Sequence, residues 1–263
     1  MKQMTLDELH QKQLQMLKDF DSFCKEHGLT YYLAYGTLIG AIRHKGFIPW
    51  DDDVDLWMSR EDYDKLVSFD QINETLKIVT KENSQGYFHP YSYCNIADTE
   101  TVMDEHLAKN PTGKGIFLDV FPLDVLPDDE SKALAFMKKC RQMARIQSCC
   151  LYVQQPGIKG FIKRVIGKLL NWEKTYPKLQ KVAVRYRGMQ SQHVGVPIFV
   201  CTPYKGILKK QDFAQAIEWD FEGIKLSIPI GYDAILTRIY GDYMTPPPVA
   251  QQKGHHMVDY FKK

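Results

Sequence analysis

None of the six cysteines (Cys24, Cys94, Cys140, Cys149, Cys150 and Cys201) forms a C-x-x-C pair or stands at a ligand-like interval from histidine. That excludes the usual signatures of a zinc module or a dithiol redox centre. Adjacent Cys149 and Cys150, on a predicted helix, read as small apolar packing groups. The opening residues MKQMTLDELH lack the apolar core of a signal peptide. No run approaches the ~20 apolar residues that a spanning helix needs. The expectation is a cytoplasmic protein with reduced thiols, meeting any lipid-linked partner at the inner membrane surface. Charge bias is missing too: 34 basic against 32 acidic residues leave a net +2, which gives no general attraction for nucleic acid. Repeats and low-complexity segments are absent, and Pro246 to Pro248 is too short for a linker. What remains is an ordinary globular composition in 263 residues, enough for a substantial core in one large or two small domains.

Against that background one cluster stands out. In Asp53-Val54-Asp55-Leu56-Trp57 acids alternate with strand formers, and side chains two apart on a strand share a face. Asp53 and Asp55 then point the same way. Two carboxylates held together repel unless a cation lies between them, and a hard divalent ion that prefers oxygen is the usual solution. A solvated acidic turn is the plainer alternative. Upstream, Gly36-Thr37 leads into Leu38 to Ile42 as a turn entering a helix whose first amides suit an anion, followed by Arg43, His44 and Lys45. Downstream, Asp119 is an acid inside the apolar run from Ile116 to Phe121. A buried carboxylate needs a partner, either an arginine or the same metal as Asp53 and Asp55.

Three strings together resemble the LicD family, which includes bacterial phosphorylcholine transferases and is related to the fukutin group. They are GTLIGAIRHKGFIPWDDDVD, GIFLDVFPLDVLP at Gly115 to Pro127, and IYGDYMTPPP at Ile239 to Pro248. The resemblance implies an α+β fold: a nucleotidyltransferase-like mixed sheet packed by helices, with added helical segments in the C-terminal half. A single domain over 1–263 is expected, with a catalytic core at about 28–127 and a helical, substrate-binding part at about 128–263.

It also implies metal-dependent transfer of phosphocholine, or a similar phospho-alcohol, from a CDP-activated donor such as CDP-choline. The acceptor would be a sugar hydroxyl of a lipid-linked glycan precursor of teichoic acid or lipopolysaccharide type. On that reading Asp53, Asp55 and Asp119 are catalytic and hold Mg²⁺ or Mn²⁺, with Asp119 or Asp51 available to take the acceptor proton. Gly36, Thr37, Arg43 and Lys45 face phosphate, and Asp242 and Tyr243 touch donor or acceptor. A quaternary ammonium calls for an aromatic cage, for which Tyr31, Tyr32, Trp50, Trp57, Tyr87 and Tyr93 are available. Two alternatives stand beside this: a nucleotidyltransferase moving NMP from an NTP, and an inactive nucleotide- or glycan-binding relative.

The remaining chain is read from its periodicity. Helices are expected over Thr5 to His27, with Gln13 interrupting the apolar stripe, from Ser59 to about Phe69, from Asp128 to about Leu151, and from Pro229 to Tyr240. Strands are expected at Thr30 to Ala34, Leu76 to Thr80, Tyr87 to Tyr93, Asn95 to Met103, Gly115 to Val120, Gly195 to Cys201 and Gly223 to Ile228. Asp124 reads as a turn acid before Pro127, and His255-His256 as surface. From Ile158 to Leu170 apolar residues recur at helical spacing with lysine and arginine between them, and the positive character continues to Arg187. Such a stretch either makes peripheral membrane contact through 158–187 or packs on the sheet with a wet basic face.

Overall fold

The computed structural model describes residues 2–84, 92–104, 114–151, 158, 160, 161, 165, 169, 172–199, 202–252, 254 and 259–263. Helix α1 (Leu6–Glu26) starts at a capping box, in which Thr5 Oγ1 accepts from the Glu8 amide and the Glu8 carboxylate accepts from the Thr5 amide. It ends at His27, with Gly28 in the left-handed region at φ 63°. Leu9, Met16, Leu17, Phe20 and Phe23 form its buried stripe. Each such side chain contributes roughly 1.5–3 kcal/mol when fully covered, so Phe20→Ala should cost roughly 3–5 kcal/mol.

Strand β1 (Tyr31–Leu33) leads into α2 (Tyr35–His44), and β2 (Asp55–Ser59) returns antiparallel to β1. Ser59 caps α3 (Arg60–Leu66), accepting from the Asp62 amide. Next come β3 (Leu76–Val79), β4 (Cys94–Asp98), β5 (Thr101–Asp104) and β6 (Phe117–Val125). The second half holds α4 (Glu130–Leu151), α5 (Trp172–Ala183), β7 (His193–Gly195), β8 (Leu208–Lys209), β9 (Ala216–Phe221), β10 (Ile224–Pro229), α6 (Tyr232–Tyr240) and β11 (Asp259–Lys262). The main sheet runs β1-β2-β6-β4-β3, with β7 and β8 continuing from the end of β6. Its β2–β6 pair is parallel and the others antiparallel, so the expected mixed sheet packed by helices is present. Buried residues from Leu9 to Tyr260 share one core cluster, which draws on both ends of the chain.

Several local expectations change. The Asn95 to Met103 run is broken into β4 and β5 at Thr99-Glu100. Pro229 closes β10 rather than opening a helix, and α6 begins at Tyr232. Strand β9, which alternates Ile217, Trp219 and Phe221 with Glu218 and Asp220 and pairs with β10, was not anticipated. Beyond Gly195 the chain turns, so the strand expected to Cys201 stops there. Asp124 is not a turn acid. It lies in β6, almost wholly buried, and accepts from Arg60 Nε at 2.7 Å and Nη2 at 2.8 Å, a bidentate pair. Gln13 does not interrupt α1's inward stripe, because it is itself buried. Residues 85–91 and 255–258 lie outside the described residues, and with them most of the Tyr87 to Tyr93 strand and the His255-His256 pair.

Candidate functional site

The parallel pairing of β2 with β6 sets Asp55 directly opposite Asp119. Asp55 is the first residue of its strand, and Asp53 lies just before it in the chain that leads in. The strand's start is pinned from α2, since Thr37 Oγ1 accepts from the Asp55 amide at 2.9 Å. The acidic segment is also gripped from α1. His10 Nε2 lies 2.7 Å from the Asp51 carbonyl, and Gln13 Nε2 donates to the Asp52 carbonyl at 3.0 Å. His10 and Gln13 are one turn apart on the helix, so both reach the same stretch.

A cavity of about 620 Å³ opens above these acids, a size suited to a nucleotide-sized ligand. Asp51, Asp53 and Asp55 line it together with Gly36 and Arg43, and Tyr240, Asp242 and Tyr243 form part of the far wall. Gly36 is required by closeness: a Cβ there would stand 2.7 Å from Asp51 Oδ2. The neighbouring Tyr35 holds φ 42°, a left-handed conformation rare for an aromatic residue. Arg43 is fixed by donating Nη1 to the Tyr243 carbonyl at 2.8 Å and Nε to His44 Nε2 at 2.9 Å. Lys205, which the sequence did not single out, also lines the cavity. Tyr243 donates its hydroxyl to Asp233 at 2.6 Å, while Asp242 accepts from the Thr245 amide and hydroxyl and so shapes the turn.

The acids are held at odds with their ordinary ionisation. Burial, then Asp53 and Asp52, push Asp51 up to about 7. Asp55 is pushed well up by burial and by Asp53, Asp119 and Asp51. Asp119 is pushed up to about 8, chiefly by burial, with Lys114 opposing. Oxygens of Asp51, Asp52 and Asp53 lie within 4.8 Å of one another, the metal-ligand grouping found among the described residues. Asp119 is buried behind the cavity wall rather than in it. This all-oxygen set suits a hard divalent cation.

Behind Asp119 stands a relay that sequence reasoning missed. Lys114, with no exposed surface, donates Nζ to Asn95 Oδ1, and Asn95 Nδ2 donates to Asp119 Oδ1. A lysine ammonium can only donate, so it fixes which way the amide points and thereby directs an N–H at the carboxylate. Tyr93 also hydrogen-bonds to Asp119.

Other anticipated residues are placed elsewhere. Lys45 caps α2 in the left-handed region at φ 58° and does not line the cavity. Thr37 is buried and serves the Asp55 amide. Of the six cage candidates Trp50 lines the cavity. Tyr31 and Tyr32 are buried with hydroxyls on Asp21 and the Phe213 carbonyl, Trp57 is in the core, and Tyr87 is outside the described residues.

A family model described as LicD/FKTN/FKRP, nucleotidyltransferase domain, matches residues 28–144, which span the whole acidic site. The Haemophilus influenzae lipopolysaccharide cholinephosphotransferase LicD is 32% identical over 99% of both chains. An uncharacterised protein of Rickettsia prowazekii is 28% identical over 43% of this chain and 40% of its own length. Mannosyltransferase regulator 4 of Saccharomyces cerevisiae is 25% identical over 40% of this chain but 9% of its own, so that likeness is local.

Proposed function

The chain belongs to the LicD family and is a transferase, and from that premise we propose that it moves phosphocholine from CDP-choline to a sugar hydroxyl of lipopolysaccharide. The acceptor named for the Haemophilus relative favours lipopolysaccharide over teichoic acid. The observation that carries the reading is the facing of Asp55 and Asp119 across a parallel strand pair beneath a cavity walled by Arg43. Asp53, Asp55 and Asp119 would hold Mg²⁺ (Mn²⁺ as a substitute), which supplies charge neutralisation at a pyrophosphate.

The chain's own groups do the rest. Arg43, already oriented by the Tyr243 carbonyl, keeps further N–H donors for phosphate oxygens, and Lys205 adds a second positive charge on the cavity lining. Asp51 lines the cavity beside Asp53, a carboxylate placed to accept the proton of an attacking sugar hydroxyl. Trp50, Tyr240 and Tyr35 offer ring surface on which a quaternary ammonium can rest. In-line attack at the choline-bearing phosphorus would release CMP. No helix among the described residues is long and apolar enough to cross a membrane.

The test is donor labelled separately in the cytidine and in the choline phosphate, incubated with choline-free lipopolysaccharide. Choline phosphate label on the glycan with released CMP is expected. Cytidine label on the glycan would instead establish nucleotidyl transfer, and label on neither would leave a binding protein.

A further inference from the structure

Residues 158, 160, 161, 165 and 169 are helical, and four of them turn large apolar side chains to solvent: Ile158 and Leu169 are 80% exposed, Phe161 61% and Val165 41%. At 100° per residue these four fall within an arc of about 80°, and buried Gly160 lies about 140° from its centre. These four described apolar side chains therefore share one solvent-facing side, away from the buried Gly160. A helix packed on a sheet would do the reverse, covering the stripe and wetting the polar face.

Charge supplies the second observation. Residues 158–187 contain nine lysines and arginines and one acid, Glu173, in a chain whose total balance is only +2. Lys178, Lys181 and Arg185, on α5 and just after it, are exposed. An outward apolar stripe beside concentrated positive charge matches the interface of an anionic bilayer, where apolar side chains enter the headgroup boundary and cations meet lipid phosphates. A second copy of this chain fits poorly, because the same positive charges would be brought against themselves.

We propose that this face docks the protein on an anionic phospholipid surface, with Ile158, Phe161, Val165 and Leu169 inserted and the exposed Lys178, Lys181 and Arg185 over the headgroups. Docking of this kind would confine the cavity to the plane in which a lipid-linked glycan is presented. It stands apart from the metal and donor assignments, since it is read by binding alone.

The experiment is co-sedimentation of the full chain with vesicles of phosphatidylglycerol and phosphatidylethanolamine, and with vesicles of phosphatidylcholine only. Binding to the anionic vesicles that weakens as salt rises is expected. Phe161→Asp with Leu169→Asp should lower that binding at least about tenfold with an unchanged melting temperature. Lys178→Glu with Lys181→Glu, both at exposed positions, should lower it as well and guards against misfolding of the first variant. Wild type left in the supernatant, equal binding to neutral vesicles, or variants that sediment like wild type would each overturn the proposal. A dimer by sedimentation velocity that the first variant loses, without vesicle binding, would assign the face to a second copy instead.

Discussion

Gly36→Ala adds one methyl group where the acidic site is tightest. The new Cβ would stand 2.7 Å from Asp51 Oδ2, and ordinary contact begins at 3.4 Å, so the carboxylate must retreat by about 0.7 Å. Two stability effects oppose each other. Gly36 lies in the first turn of α2, where alanine gains up to ~1 kcal/mol in helix propensity. Overpacking costs ~1–3 kcal/mol. The net loss is about 0–3 kcal/mol, a fall of up to several degrees in melting temperature, and the protein stays folded. Activity should respond far more, because misplacing a reacting group by ~1 Å can cost on the order of 10²-fold. The assay is CMP release from CDP-choline, with the melting temperature as control. Asp51→Ala removes the group with which the methyl collides, so Gly36→Ala in that background should change turnover by less than about twofold. Full activity in the single variant, or additive losses in the double, would refute the reasoning.

Asp55→Asn removes one of several carboxylates that raise each other. It should abolish transfer, raise the melting temperature of the metal-free protein, and cancel any further rise on adding Mg²⁺, all readable in one thermal-shift series. Without metal, Asp51 at about 7 and Asp119 at about 8 leave the folded chain holding protons that the unfolded chain has released above about pH 4. Their contribution to stability is complete below pH 4 and is lost as pH rises to 8. Melting temperatures at pH 5 and pH 8 with EDTA check this, and Mg²⁺ should narrow the gap. Arg60→Met strands the buried Asp124 carboxylate and should cost roughly 3–5 kcal/mol in urea unfolding. Asn95→Asp sets a carboxylate where the amide donates to Asp119. It should lower kcat with little change in KM for donor, whereas general loosening of the fold would lower the melting temperature and move both.

The parts legible in the sequence were those fixed locally. The Thr5 capping box, the Ser59 cap and the alternation around Asp55 each specify their own few residues. The apolar run around Asp119 also announced a buried carboxylate needing a partner; Asn95 and Tyr93 hydrogen-bond to it, and the β2–β6 register sets Asp55 opposite it. What stayed hidden depends on partners distant in the chain. Gln13 looked like a flaw in a helix stripe because its partner, the Asp52 carbonyl, is 39 residues away. Asp124 read as a turn acid because Arg60 is 64 residues upstream. Lys114 and Asn95 carry no motif, and only the fold brings them behind Asp119. Thr37 Oγ1 accepts from the Asp55 amide, a partner 18 residues away that a Gly-Thr turn does not announce. For 158–170 the periodicity was plain, but a stripe of that kind does not say which of its side chains meet solvent; Phe161 and Leu169 do.

The central claim is that Asp53 and Asp55, with Asp119 behind them, hold a divalent cation for the donor. Equilibrium binding of Mn²⁺, followed by loss of the free-ion EPR signal, tests it most directly. The account predicts saturable binding that CDP-choline tightens and that Asp53→Asn and Asp55→Asn each abolish. Identical Mn²⁺ binding by wild type and both variants would contradict it.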